Sequence, residues 1–167
     1  MAESDTIFSS KVKYNGLFDF KDFYGFAYSW LKEEMGLSVS EGKYVEKLKG
    51  DSKDIEIEWS GTRKVTDYFK FEVNAKIIVM GMTTVEINKD GKKAKMNNGS
   101  IEISVQGNLI RDYQGKFEMT AFQKFLRSIY EKWVIPSRIS QYSGKLIENC
   151  DEFLGQIKAY LDLEGKK

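Results

Sequence analysis

The chain has 167 residues, of which 41% are hydrophobic and 31% charged, so it reads as one globular domain able to build its own core. It contains no histidine and a single cysteine, Cys150. That excludes Ser-His-Asp and Cys-His catalysis, histidine metal sites and an intrachain disulfide. Net charge is +1, but residues 89–145 carry 11 basic and 5 acidic side chains while residues 1–88 carry 12 and 15. A basic face from the later region is therefore one expectation.

Residues 1–8 lack the basic start and apolar core of a secretory signal. The longest apolar run, about Ile77 to Met82, falls far short of the ~20 residues that cross a membrane. With one cysteine and no signal, the expected location is the cytoplasm.

Phe8, Ser10, Val12 and Tyr14 alternate with Ser9, Lys11 and Lys13, which predicts a first strand ended by Asn15-Gly16. Asp19 is a candidate N-cap, and Phe20, Phe23, Tyr24, Ala27, Trp30 and Leu31 follow at helical spacing. A helix is predicted over 20–35, with Gly36 as its stop and Gly25 suggesting close packing against another backbone. Residues 37–48 hold one strand, and Ile55, Ile57 and Trp59 mark the next. Phe69, Phe71, Val73, Ala75, Ile77 and Val79 form the longest period-two pattern, bent or ended at Gly81. Val85 and Ile87 begin another strand. Asp90-Gly91 and Asn98-Gly99 both read as hairpin turns, and Ile101, Ile103 and Val105 continue the β region.

The last part is helical. Thr120 and Gln123 make a capping box. Phe122, Phe125, Leu126, Ile129, Tyr130 and Trp133 form an apolar stripe, expected to face the core, with a membrane surface or a partner helix as the alternative. Pro136 interrupts the helix, and a second stripe runs through Leu146, Cys150, Phe153, Leu154, Ile157 and Leu161.

Strands with one apolar face and helices with matching stripes predict an α+β fold. The expectation is a single domain over 1–167: a curved antiparallel sheet of six or seven strands, with an N-terminal helix and long C-terminal helices on one face. The predicted core includes Phe23, Ala27, Ile57, Phe71, Val73, Ile103, Phe125, Leu146, Phe153 and Ile157. This element order resembles the helix-grip fold of the START and SRPBCC superfamily. The chain also resembles uncharacterised archaeal proteins of similar length. The helix-grip resemblance implies a pocket between the sheet and the last helix, and with it a non-enzymatic small-molecule or lipid-binding module.

Trp59, Tyr68, Phe71, Tyr130 and Phe153 are the candidate ligand-binding residues, because aromatics, those with a polar tip above all, suit such cavities. A small apolar ligand is the matching partner. Lys89, Lys92, Lys93 and Lys95 surround the Asp90-Gly91 turn and could hold phosphates, which gives the alternative of a nucleic-acid or ribonucleoprotein accessory protein. A third reading is a structural or assembly protein whose aromatic helix meets a protein partner. Glu56, Glu58 and Glu72 are expected on a solvated sheet face opposite Lys70 and Lys76. No catalytic residue, metal site or cofactor is read from the sequence.

Overall fold

The computed structural model describes residues 3–113, 121–129, 132–133 and 136–165. The fold is α+β, built on one antiparallel sheet. Its strands are β1 (Glu3–Phe18), β2 (Ser38–Lys49), β3 (Ser52–Lys64), β4 (Phe69–Lys89) and β5 (Lys92–Arg111). They lie in the order β1-β5-β4-β3-β2, so β2 to β5 form a meander and β1 closes onto the last strand. Helix α1 (Phe20–Ser29) connects the two opposite edges, and α2 (Ala121–Ile129) and α3 (Pro136–Gly165) follow the sheet.

Among the described residues, five strands stand where six or seven were expected. The difference comes from two glycine positions. Gly81 adopts φ +62 at a register shift between Met80 and Thr83, so it makes a bulge inside β4 rather than ending it. Asn98-Gly99 lies inside β5, paired with Thr83 on one side and with Gly16 and Leu17 on the other. A Cβ at Gly99 would stand 3.0 Å from Met82 Cα and 3.1 Å from the Met80 carbonyl oxygen. The glycine serves this close approach of two backbones at the bulge, not a turn. Asp90-Gly91 is the true hairpin turn, with φ of 55 and 79 as a type I′ turn requires.

Alternation sorts the sheet into two faces. Ile55, Ile57 and Trp59 of β3, Phe69, Phe71, Val73, Ala75, Ile77 and Val79 of β4 and Ile101, Ile103, Val105 and Leu109 of β5 point inward and are buried. Against them α1 sets Phe23 and Ala27, and its continuation sets Leu31 and Met35. That continuation, Trp30–Glu34, is a π turn closed by the Met35 N–H on the Trp30 carbonyl at 3.1 Å. Helix α3 contributes Leu146, Cys150, Phe153, Leu154, Ile157 and Leu161 and packs on β1 and β5. Gly107 sets its distance: a Cβ there would reach Cys150 Sγ at 3.1 Å and Leu146 Cγ at 3.4 Å. The expectation of close packing at Gly25 fails, since nothing lies within 4 Å of a Cβ built there.

The opposite face is polar. Thr6 Oγ1 donates to Asn108 Oδ1, and Asn108 and Asn74 both donate to Glu72 Oε1. Glu56 meets Lys43 at 3.1 Å and Lys76 at 3.3 Å, and Glu58 meets Lys76 at 3.9 Å. This is the expected solvated face, except that Lys70 lies over the Tyr113 ring instead. Both edge strands carry a register shift, at Ile7 in β1 and Gly42 in β2. Bulges of this kind blunt edges against pairing with other chains.

Candidate functional site

Helix α2 is turned the unexpected way. Its apolar residues lie outward, with Phe122 67% and Phe125 59% exposed, and Leu126 and Ile129 exposed as well. Trp133, just beyond it, is 73% exposed. Phe125 is therefore a surface residue, not part of the core. The buried residue of α2 is Arg127. Its guanidinium lies 3.6 Å from the buried Asp112 carboxylate.

The local structure explains this attachment. Asp112 follows the end of β5 with φ +51, and its N–H donates to the Tyr68 carbonyl at 2.8 Å. The Tyr113 hydroxyl donates to the Thr66 carbonyl at 2.8 Å. The β3–β4 turn thus holds the chain as it leaves the sheet, and the Asp112 carboxylate is left inside, facing Arg127. A buried carboxylate needs such a cation, and Arg127 is the residue of α2 that supplies it. Phe122, Phe125, Leu126 and Ile129 are at three- and four-residue steps, so one stripe carries all of them. Arg127 lies on the far side of that stripe. Fixing Arg127 inward therefore fixes the aromatics outward.

Along the sequence, residues 119–147 hold Lys124, Lys132, Arg138 and Lys145 besides the ion-paired Arg127, against Glu131, with Glu118 and Glu148 directly outside that stretch. Lys132 Nζ stands 5.4 Å from the Trp133 ring centre, and Arg138 is exposed at the start of α3.

The aromatic residues expected to line a pocket are elsewhere. Trp59, Phe71 and Phe153 are 2% exposed or less and belong to one packed core. Arg63 lies over the Phe71 ring at 5.3 Å. Tyr68 is half-buried at the β3–β4 turn, beside Phe69 at 5.1 Å. Tyr130 lies outside the described residues. Side chains thus fill the face between the sheet and α3.

The lysine cluster is at the other end of the molecule. Beyond the Lys53–Met82 and Phe18–Asn97 pairs, β4 and β5 continue alone as a two-stranded arm to Lys89 and Lys92. Lys92, Lys93 and Lys95 are exposed on it; the Lys89 side chain is not among those described. About twenty residues of β5 separate this tip from Asp112, a contour of about 60 Å. The described basic side chains of 89–145 therefore form two separate groups rather than one face.

A cluster that the sequence reading left unassigned lies between α1 and β2. Tyr24 packs edge-to-face on Trp59 at 5.2 Å and on Tyr44 at 6.2 Å, and is stacked with Tyr28. The signal was the four-residue step Phe20, Tyr24, Tyr28, a second aromatic column beside the core column Phe23, Ala27, Leu31. Among the described residues, no three His, Cys, Asp or Glu side chains converge as a metal site requires. No helix described is long and apolar enough to cross a membrane. No protein-family model matches the chain, and no curated protein matches it.

Proposed function

We propose that this chain is a non-enzymatic docking module that rests on an anionic membrane surface through α2. The observation behind this reading is the helix's orientation, with Arg127 inward and Phe122, Phe125, Leu126 and Ile129 outward. An exposed apolar patch rimmed by polar groups marks a contact with a partner or a membrane. A helix with aromatics on one side and cations around them, low in overall hydrophobicity, suits the lipid interface. The exposed Lys124, Lys132 and Arg138 favour anionic headgroups over a neutral surface. Burying a large apolar side chain contributes roughly 1.5–3 kcal/mol, so two or three inserted aromatics suffice for reversible attachment.

The scaffold behind α2 we read as helix-grip-like, since α3 packs against β1 and β5 on the inward face of the sheet. Its filled core weighs against the lipid-carrying pocket that such folds offer. The buried free thiol of Cys150 suits the reducing cytoplasm, where the inner leaflet supplies anionic lipid. Nucleic-acid binding by the arm lysines would be a separate activity, at the far end of the sheet.

Sedimentation with lipid vesicles tests the proposal. Wild-type protein should pellet with vesicles containing phosphatidylglycerol, less with phosphatidylcholine alone, and less again as salt rises. Trp133 emission should shift to the blue on binding. A Phe125→Ser, Trp133→Ser variant should keep its melting temperature and lose at least about ten-fold in vesicle affinity. No pelleting with anionic vesicles, together with concentration-dependent self-association abolished by the same variant, would replace the membrane with a second copy of the chain.

A further inference from the structure

The cleft between α1 and β2 has a volume of about 300 Å³ and is lined by Phe20, Lys21, Tyr24, Tyr44 and Glu46. The Tyr24 and Tyr44 rings stand 6.2 Å apart at 77°, so a ring face and a ring edge meet in a corner. Phe20 leans on Tyr24 at 6.3 Å. Each phenol donates its proton to a carboxylate of β2: Tyr24 to Glu41 Oε1 at 2.9 Å and Tyr44 to Glu46 Oε1 at 2.8 Å. Lys53 approaches Glu46 at 3.5 Å from β3, and Lys21 stands in the lining.

The negative field reaches across the cleft. Burial, then the hydrogen bond to Glu46, then the charges of Glu46 and Glu41 push the Tyr44 hydroxyl up to about 12. Tyr24 is raised as well, by burial first and then by Glu41. Aromatic faces beside carboxylates discriminate among ligands by charge. An anion would meet Glu41 and Glu46 beside the rings and could pair only with Lys21 at the rim. A neutral apolar group would gain from the rings alone. A bare ammonium or metal ion keeps its hydration shell and gains little from ring faces. A methylated ammonium is weakly hydrated, presents methyl groups to the rings and keeps its charge for the carboxylates.

We propose that the α1–β2 cleft binds a methylated or quaternary ammonium group, with its methyls against Phe20, Tyr24 and Tyr44 and its charge facing Glu46 and Glu41. The site stands apart from α2 and does not depend on the membrane reading.

Choline and its neutral tert-butyl analogue are the probes, with binding followed through the aromatic proton resonances of the intact chain. Choline should shift the Phe20, Tyr24 and Tyr44 ring signals saturably, and the neutral analogue should bind at least about ten-fold more weakly. Glu46→Gln keeps an acceptor for the Tyr44 hydroxyl and removes only the charge, so it should weaken choline by about the same factor. Tyr44→Phe should retain binding, because the ring face remains, and Tyr44→Ala should lose it. Tyr44 is 44% exposed on an edge strand, so both variants should fold, which their melting curves check. Equal affinity for the neutral analogue, unchanged binding by Glu46→Gln, or no saturation up to the highest soluble choline concentration would each overturn the proposal.

Discussion

Burial pushes the Cys150 thiol up to about 12, because the thiolate would have to leave water for the interface of α3 with β5. Native protein at pH 8 should therefore resist alkylation and thiol-reactive dyes, and should react stoichiometrically once unfolded. Fast labelling of the native state would contradict the packing at Gly107. Phe71 is 1% exposed, and its replacement by Ala should cost ~3–5 kcal/mol in denaturant unfolding. A loss below about 1 kcal/mol would mean that the site collapses far more completely than aromatic core sites do. Phe125 offers the contrast at the same scale. It is a phenylalanine in an equally clear stripe, yet Phe125→Ser should leave the melting temperature nearly unchanged, as surface substitutions do.

Two glycines separate what an element needs from what it tolerates. Gly99 faces the backbone of the β4 bulge, which cannot step aside as a flexible side chain can. Gly99→Ala should destabilise the fold by about 1–3 kcal/mol. Gly25 sits in α1 with open space around it, so Gly25→Ala should stabilise by about 0.5–1 kcal/mol through helix propensity alone. Thermal melts of the two variants should move in opposite directions. The strands, α1 and the α3 stripe were legible in the sequence because their periods are local properties of the chain. The direction of the α2 stripe was not. Its spacing shows that one face is apolar, while the direction of that face depends on Asp112 and Arg127, whose pairing is tertiary. Strand count failed for a related reason, since a glycine that bulges a strand and one that ends it have the same local sequence. Of the ligand-pocket candidates, Trp59, Phe71 and Phe153 are aromatic core positions. What sequence alone could not show is that facing side chains fill the space between them, and that Phe20 and Tyr24 of the outer column border a cleft with Tyr44.

At the scale of the whole molecule, the polar sheet face sets an acid limit. The Gly81 N–H and Lys49 hold the Asp54 carboxyl below its ordinary value, and Lys43 and Lys76 do the same for Glu56. These groups bind fewer protons in the folded state than in the unfolded one. Their contribution is therefore complete above the ordinary carboxylate range and is lost as pH falls through it toward the lowered values. Urea midpoints should drop on going from pH 5 to pH 3, and less so in an Asp54→Asn, Glu56→Gln variant. At the alkaline end the sign reverses. Tyr44 holds its proton to about 12 in the folded state, so its contribution is present below the usual tyrosine value and fades as pH rises from about 10 to 12. The arm gives an independent test of the charge layout. Changing Lys92, Lys93 and Lys95 to Ser should leave both melting temperature and vesicle binding unchanged, because α2 lies at the other end of β5.

The place of β1 in the sheet has a consequence for how the chain comes to be folded. β1 is made first, yet its sheet partner is β5, the last strand, with pairs running from Phe18–Asn97 to Glu3–Arg111. During synthesis β1 and α1 must wait while most of the sheet emerges, whereas β2 to β5 can zip hairpin by hairpin through near neighbours. The cost of closing so long a loop falls on a single late step. The nascent meander should form early with the inward side of β5 uncovered, and docking of β1 and α3 should set the observed folding rate. A weakened β2–β3 hairpin, already formed before that step, would then slow folding and scarcely change unfolding, while a weakened β1–β5 interface would act on both rates.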